Sequence, residues 1–241
     1  MRPGPLTESQ LRRLDNEWVQ GEHVLITAST KSGKTSLARH IVELRAKRGG
    51  YVIVFCMKPL PDPTIITDYL HNGFVRWESW KKRFVRGENR ILVWPDVKKA
   101  KGNRRAILDM QKDIFQTAID QINSHGKVTL QVDEGLYMCD PQFLNMGPDL
   151  AMAHAIGRSG DLTCVTLAQR PANIPLIIYG SASHSFTGRT REQSDLKRLA
   201  EMGPKEGSKA LASRIADLDR HGYMWTPIAP DWDAEYVNLK R

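Results

Sequence analysis

The sequence predicts an α/β fold in which a mostly parallel central sheet carries helices on both faces. The run YVIVFCM at 51–57 is continuously apolar, which is typical of a central parallel strand that is covered on both sides. Earlier, at 24–36, a strand-like stretch leads through a polar loop into a segment with helical spacing of its apolar residues. A chain of 241 residues is long enough for one large domain of this class.

The first half of the chain contains four predicted helices or strands besides that strand–loop–helix unit, and the apolar strand at 51–57 is one of them. Residues 7–20 form an amphipathic helix with Thr7 as its N-cap, and the helix after the loop ends at Gly49-Gly50. The stretch Lys58 to Pro63 contains three prolines and excludes regular structure. Beyond it the periodicity weakens until a short strand at 91–94 and a long helix at 103–124.

The second half continues the alternation. Strands are predicted at 128–132 and 162–168, with a helix ending near residue 159 between them, and a further turn of helix follows Ile174-Pro175. The remaining predicted elements are a last core strand at 184–187, helices at 192–202 and 207–219, and a strand at 223–226 before an irregular tail.

We expect one domain over residues 1–241, with a helical N-terminal extension (1–21), a basic insertion (64–105) and a C-terminal extension (203–241). No apolar run approaches the roughly 18 residues of a membrane span, and the N-terminus lacks the apolar core of a signal peptide. Three widely spaced cysteines favour buried thiols over a disulfide framework. We therefore expect a cytoplasmic protein.

The stretch VLITASTKSGKTS at 24–36 has the pattern of a nucleotide phosphate loop. In such a loop, backbone N–H groups and the positive end of the following helix face phosphate groups. The Lys34 ammonium adds a cation against those phosphates, and the Thr35 hydroxyl completes the coordination of Mg²⁺. Ala28 stands where the first glycine is usual and lacks easy access to positive φ, so we expect the loop to enter its turn differently. The predicted nucleotide-binding residues are Ala28, Ser29, Thr30, Lys31, Ser32, Gly33, Lys34, Thr35 and Ser36.

Asp133 and Glu134 directly follow the predicted strand 128–132. The carboxyl ends of strands are where open α/β sheets bind ligands. An Asp there can hold Mg²⁺ through water, and the adjacent Glu can orient or deprotonate an attacking water. An Asp-Glu pair after a strand is otherwise a common solvated turn, and the phosphate loop upstream favours the catalytic interpretation.

Residues 76–105 contain 11 Lys or Arg and three acidic residues, a net charge of +8 that equals the charge of the whole chain. Tryptophan and phenylalanine are interleaved with these cations. One interpretation is a solvated basic face whose aromatic residues pack inward; the other is a surface that contacts a nucleic-acid backbone without reading bases. The predicted DNA-binding residues are Lys81, Lys82, Arg83, Arg86, Lys98, Lys99 and Lys101.

The order phosphate loop, Asp-Glu strand end, helix ending in Gly-Arg-Ser-Gly (157–160) and strand ending in Ala-Gln-Arg-Pro (168–171) resembles the HerA/FtsK superfamily of ring-forming DNA-pumping ATPases. The resemblance covers roughly residues 22–200 and includes the genome-packaging ATPases of membrane-containing viruses. It implies a RecA-like P-loop NTPase core of the additional-strand type, with ATP and Mg²⁺ as ligands. It further implies a homo-oligomeric ring, hexameric by default, that acts on double-stranded DNA, with a capsid or membrane-embedded portal as a further partner.

By this resemblance Lys34 and Thr35 belong to Walker A, Asp133 and Glu134 to Walker B, and Gln169 is the polar sensor. Arg158 matches the arginine that reaches the neighbouring subunit's nucleotide; Arg170 and Arg189 are its competitors for that role. Cys56-Met57-Lys58-Pro59 departs from the Asp-Pro-Lys of many relatives.

The resemblance places the chain in the host cytoplasm or on a virion. A cellular or plasmid-type DNA-pumping ATPase is the nearest alternative. A small-substrate phosphoryl-transfer enzyme or GTPase, and a non-catalytic nucleic-acid-binding protein, remain as more distant ones. The chain lacks the Asn-Lys-x-Asp motif expected of a GTPase.

Overall fold

The computed structural model describes residues 6–80, 88–157, 159–202, 208–227 and 235–238. These ranges contain a nine-stranded sheet. Its strands are β1 (His23–Thr27), β2 (Tyr51–Phe55), β3 (Val75–Trp77), β4 (Arg90–Val93), β5 (Val128–Val132), β6 (Leu162–Ala168), β7 (Ala182–Gly188), β8 (Gly222–Pro227) and β9 (Glu235–Asn238).

The sheet has the strand order β3-β4-β2-β5-β6-β1-β7-β8-β9. Every pairing from β3 to β7 is parallel, and β8 and β9 continue the sheet in antiparallel pairs. Strand β6 lies between β1, which precedes the phosphate loop, and β5, which precedes the acidic pair. This inserted strand confirms the predicted α/β, RecA-like core of the additional-strand type.

Nine α-helices lie in the described residues: α1 (Glu8–Glu17), α2 (Lys34–Lys47), α3 (Pro63–Asp68), α4 (Arg104–His125), α5 (Gly135–Cys139), α6 (Gly147–Ile156), α7 (Leu176–Ser181), α8 (Gln193–Met202) and α9 (Ser208–Ala216). Thr7 caps α1 as predicted, in a capping box with Gln10. None of these helices combines the length and apolar composition that a membrane crossing requires.

Helices cover both faces of the sheet, because its central strands are apolar on both sides. One buried cluster joins the sheet to α4, α6 and α7 through residues such as Phe115, Leu150 and Ile178. The other joins the opposite face to α1, α2 and α3, with Leu14, Ile41 and Ile65 among its members. Strands β1, β5 and β6 are buried along their whole length. The carboxyl ends of these three strands therefore form a rigid edge.

Several elements differ from the sequence predictions. The strands predicted at 128–132 and 162–168 are confirmed, but periodicity misses α3, α5, β3 and β9, which have six residues or fewer. The prediction that Lys58 to Pro63 excludes regular structure is wrong at its last residue. Pro63 begins α3, since a proline is tolerated in the first helical turn, and the Asp62 carboxylate caps that helix.

Candidate nucleotide-binding site

The loop between β1 and α2 is shaped by two residues with left-handed backbone. Gly33 has φ 97° and immediately precedes α2, and Lys31 has φ 62°. Ala28 is not among the residues with positive φ. Ala28 therefore needs no access to positive φ, and the loop turns at Lys31 and Gly33 instead.

Lys34, the first residue of α2, bends its side chain back across the loop. Its ammonium donates hydrogen bonds to the carbonyl oxygens of Ala28, at 2.6 Å, and Ser29, at 3.0 Å. Burial lowers the pKa of Lys34, while the carboxylates of Glu134 and Asp133 oppose that shift. The cation is thus held inside the loop and close to both acidic residues, where phosphate oxygens would compete for it with two carbonyl groups.

The acidic pair lies beside the start of α2, at the end of β5. The Thr35 hydroxyl is 3.5 Å from Oδ1 of Asp133, and Asp133 is buried. Burial raises the pKa of the Asp133 carboxyl, and the nearby Lys58 ammonium is the main opposing influence. The two predicted metal residues are therefore neighbours in space, although 98 positions separate them in the chain.

The donor set of Thr35 and Asp133 fits Mg²⁺. Both supply hard oxygen atoms, and Mg²⁺ characteristically takes one or two protein oxygens and retains several waters. A buried carboxylate whose pKa is raised by desolvation is also a position where a cation is stabilised. Thr35 would hold the ion directly and Asp133 through water, and the ion would neutralise phosphate charge.

Gln169, at the end of β6, links the phosphate loop to the acidic pair. Its Oε1 accepts a hydrogen bond of 3.0 Å from the Thr30 hydroxyl. Burial raises the pKa of Glu134, and the neighbouring Gln169 amide opposes this shift. Oε1 of Glu134 is buried and receives no hydrogen bond from the described residues. A buried acceptor in this state is suited to bind and orient a water molecule.

Residues after β2 support the loop from one side, and sequence reasoning did not identify them. The Tyr69 hydroxyl donates to the carbonyl oxygen of Thr35, at 3.4 Å, and itself accepts from Gln131 on β5. Ser36 donates to Asp68 at 2.7 Å. The signal available in the sequence was Gln131, which with Thr129 is a polar residue in a strand that is buried along its whole length.

Residues of the C-terminal strand β8 and the turn before it support the loop from the other side. The hydroxyl groups of Ser32 and Tyr223 are 3.0 Å apart, and Nδ1 of His221 donates to the carbonyl oxygen of Ser32 at 2.9 Å. Ser32 is buried. The loop is therefore fixed by long-range contacts that no local pattern predicts.

The three arginines considered for a contact across a subunit boundary differ in their surroundings. Arg158 lies outside the described residues. Arg170 is held by its own chain, with Nε 3.3 Å from the Asp195 carboxylate and Nη2 donating to Ser194 at 2.9 Å. Arg189 follows β7 and is exposed. Arg170 is thus committed to contacts within its own subunit.

The three tryptophans of the basic segment, residues 76–105, pack inward. Trp77, Trp80 and Trp94 are all buried, and the Arg76 guanidinium stacks on Trp94 at 4.8 Å. These three rings are accordingly not available to stack on bases. Lys98 and Lys101 are exposed beside the start of α4. Of the other predicted DNA-binding residues, Lys81, Lys82, Arg83 and Arg86 lie outside the described residues, as does the side chain of Lys99.

A phosphate loop and an acidic strand end, separated in the sheet by one strand that ends in a polar residue, define the RecA-like P-loop NTPases of the additional-strand type. The chain has this fold. Comparison with models of protein families gives no match, and neither does comparison with curated protein sequences.

Solved structures with the same fold include a viral packaging enzyme. The chain is similar to the genome packaging NTPase B204 from Sulfolobus turreted icosahedral virus 2 in complex with ATPγS, with a TM-score of 0.65 and 16% identity over 92% of this chain and 99% of that one. It is also similar to VirB4 of Thermoanaerobacter pseudethanolicus, with a TM-score of 0.66 and 8% identity over 91% and 89% of the two chains. For the pCW3 conjugation coupling protein TcpA in its monomer form with ATPγS, the TM-score is 0.52 and the identity 14%, over 93% of this chain and 60% of that one.

Proposed function

We propose that this protein is an ATP-driven translocase of double-stranded DNA and serves as a viral genome-packaging motor. The observation that carries the proposal is the convergence of Lys34, Asp133 and Gln169 at the carboxyl ends of three adjacent strands. Such a convergence provides phosphate binding, metal binding and sensing of the terminal phosphate in one place.

In this proposal the side chains divide the work of ATP hydrolysis. Lys34 exchanges its two carbonyl partners for phosphate oxygens, and the backbone N–H groups of residues 28–36 surround the phosphates. Glu134 orients the attacking water through its unpaired Oε1. Gln169, bonded to Thr30 at 3.0 Å, contacts the terminal phosphate and transmits its presence to β6.

Two observations support DNA as the substrate and packaging as the role: the similarity of the fold to a genome packaging NTPase and the positive net charge of the chain. The fold is shared over nearly the full length of a genome packaging NTPase, and the net charge of +8 suits a polyanionic partner. We infer a homo-oligomeric ring, hexameric by family resemblance, that acts in the host cytoplasm or on the virion against a capsid or portal component. A plasmid-conjugation role is the second candidate, favoured by the similarity to TcpA.

The deciding experiment measures Mg²⁺-dependent ATP hydrolysis with and without a long DNA duplex, together with displacement of a third strand bound at the far end of that duplex. A translocase hydrolyses ATP faster with duplex and displaces the strand only with ATP. If the rate of ATP hydrolysis is the same with and without duplex and the third strand is not displaced, the translocase proposal is rejected and a phosphoryl-transfer enzyme is favoured.

A further inference from the structure

A polar cavity adjoins the phosphate loop near the end of β7, and three arginines (Arg170, Arg189 and Arg191) and two acidic residues (Glu192 and Asp195) are among its lining residues. Its volume is about 380 Å³, and its walls include Ser29 and Thr30 of the loop, Gln169 and Arg189. Gln169 also contacts Thr30, so the cavity opens at the point where the loop meets the proposed phosphate sensor. A polar space of this size has room for a phosphate group and associated water.

The backbone around this cavity is fixed by one buried carboxylate. Asp195, at 1% exposure, accepts hydrogen bonds from the Thr190 hydroxyl at 3.2 Å and from the backbone N–H of Ala172 at 3.1 Å. It also faces Arg170, whose Nε lies 3.3 Å away. The segments that follow β6 and β7 are thereby tied to each other, and Arg189 sits next to the tied residue Thr190.

Arg189 lines the same cavity as Arg170 but has different surroundings. It is exposed, and no described residue forms an ion pair or a side-chain hydrogen bond with it. Strand β7, which ends one residue before Arg189, pairs in parallel with β1, and Thr187 is in register with Thr27 just before the loop. The backbone at Arg189 is therefore held at the same end of the sheet as the phosphate loop of its own chain, and its side chain lines the same cavity as Ser29 and Thr30.

We propose that Arg189 binds the terminal phosphate of a nucleoside triphosphate held by the loop of its own chain. The inference rests on the proposed nucleotide-binding function and moves Arg189 from the candidates for a contact across a subunit boundary to a contact within one subunit. A guanidinium suits this role because it is always charged and forms paired hydrogen bonds to phosphate oxygens. A nucleoside diphosphate lacks the group that Arg189 contacts.

The test compares the affinities of ATPγS and ADP for the full-length chain and for Arg189→Ala. We expect ATPγS binding to weaken about ten-fold or more, the scale of a lost charge-assisted hydrogen bond, with ADP binding unchanged. Arg189→Lys should retain an intermediate preference for ATPγS. Arg12→Gln removes one exposed charge from α1 and controls for net charge. Equal weakening for both nucleotides, or no weakening, would overturn the assignment.

A second arm separates a contact within the subunit from one between subunits. Labelled Arg189→Ala is titrated with ATPγS in the presence of excess unlabelled Lys34→Ala, which supplies Arg189 but lacks the loop lysine. If the ATPγS affinity of labelled Arg189→Ala stays low, the contact lies within one chain. If the affinity returns to the wild-type value, the contact lies between subunits and the proposal is overturned. If the wild-type chain binds neither nucleotide, the proposed function itself fails, and that outcome is distinct from a failure of Arg189 alone.

Discussion

The Cβ atom of Ala28 lies only 2.5 Å from the position that a Cβ would occupy on Gly188. Ala28 directly follows β1, and Gly188 ends the neighbouring parallel strand β7. A Cβ on Gly188 would also lie 3.2 Å from the Tyr223 ring. The alanine that replaces the usual first glycine of the phosphate loop is therefore accommodated by a glycine on the adjacent strand. The pair explains how the loop keeps its path despite the departure from the motif.

This relationship predicts that Gly188→Ala destabilises the protein, because two Cβ atoms cannot share the space. Overpacking of this kind typically costs about 1–3 kcal/mol. Ala28→Gly/Gly188→Ala should regain part of that loss, since one of the two Cβ atoms is removed. The measurement is urea unfolding of the wild type, both single variants and the double variant. Strict additivity of the two single effects would show that the residues do not compete for space.

Substitutions in the loop lysine and in the acidic pair should affect different steps: the first should impair nucleotide binding and the second should impair hydrolysis. Lys34→Ala removes a cation that contacts phosphate in the ground state, and tight ATP binding should be lost. Glu134→Gln keeps the size of the side chain and removes the carboxylate that orients water, so nucleotide should still bind while turnover falls by about 10²-fold or more. Calorimetric binding and phosphate release measure the two effects. Turnover near the wild-type rate in Glu134→Gln would reject the Walker B assignment.

The strands that carry the proposed site were predictable from sequence because each is a short run rich in apolar and β-branched residues that is followed by polar residues. The elements that hold the site in place were not. Tyr69 reaches Thr35 from 34 positions away and Tyr223 reaches Ser32 from 191 positions away. Such contacts depend on strand order, and in this sheet β6 and β1 are neighbours although 134 residues separate their closest ends. Periodicity records only which face of an element is buried.

The basic segment illustrates the same limit. Its composition was compatible with inward-packed aromatics or with a nucleic-acid surface, and the choice for each ring depended on burial. The Trp80 indole N–H, for example, donates a hydrogen bond to Gln121 on α4 at 2.7 Å, a contact that composition alone does not indicate. The three tryptophans are part of the core, and the exposed residues Lys98 and Lys101 can contact a partner.

The proposed DNA contact should be electrostatic and independent of sequence. Replacing the exposed residues Lys98 and Lys101 with alanine should flatten the dependence of log affinity on log salt by up to about two charges, and Lys81→Ala/Lys82→Ala/Arg83→Ala by up to about three. Fluorescence anisotropy on two unrelated duplexes measures both slope and sequence dependence.

The control for this experiment is Arg12→Ala/Lys47→Ala, which removes two exposed charges from α1 and α2. Its salt slope should match the wild type. If the variants of the basic segment have the same salt slope as the wild type, the segment does not contact DNA and is only a solvated basic face.

A buried histidine pair beneath the end of α6 predicts acid sensitivity. Nδ1 of His23 accepts the backbone N–H of Cys164 at 2.9 Å, and Nε2 lies 3.0 Å from the carbonyl oxygen of His154. His154 is itself bonded to Thr166 and Ser181. Burial lowers the pKa of both histidines, and each fits these partners as a neutral ring.

Because the folded-state pKa values lie below the unfolded value of about 6.5, the unfolded chain binds more protons under mildly acidic conditions. The free energy of unfolding should therefore be unaffected by this pair above about pH 7 and fall as the pH drops towards 5, by up to about 1.4 kcal/mol per pH unit for each histidine. Urea unfolding of His154→Gln should show a shallower acid slope, with the exposed-site variant His71→Gln as control. An acid slope in His154→Gln equal to that of the wild type would contradict this origin.

The last prediction concerns Arg158, which follows the glycine that ends α6. Gly157 has no room for a side chain, since a Cβ there would lie 2.6 Å from the ring of His23 and from the carbonyl oxygens of Ala153 and Leu162. The backbone at Gly157 is therefore packed closely against the core. An arginine at such a helix end commonly interacts with the dipole of its own helix, which stabilises the helix by about 0.3–1 kcal/mol.

The ring proposal gives Arg158 a larger role, because an arginine supplied across a subunit boundary is worth about 10³–10⁵ in rate. Arg158→Ala should then lose turnover while keeping its own loop, and Lys34→Ala should lose turnover while keeping its arginine. Mixing the two inactive chains should restore hydrolysis at the interfaces where an intact loop meets an intact arginine, to a level that depends on the mixing ratio. Where Arg189→Ala lowers turnover, mixing it with Lys34→Ala should restore none, because the defect of each chain then lies in that chain's own nucleotide site. If the first mixture stays inactive although the chains co-assemble by sedimentation, or if Arg158→Ala alone retains wild-type turnover, Arg158 serves only its own helix.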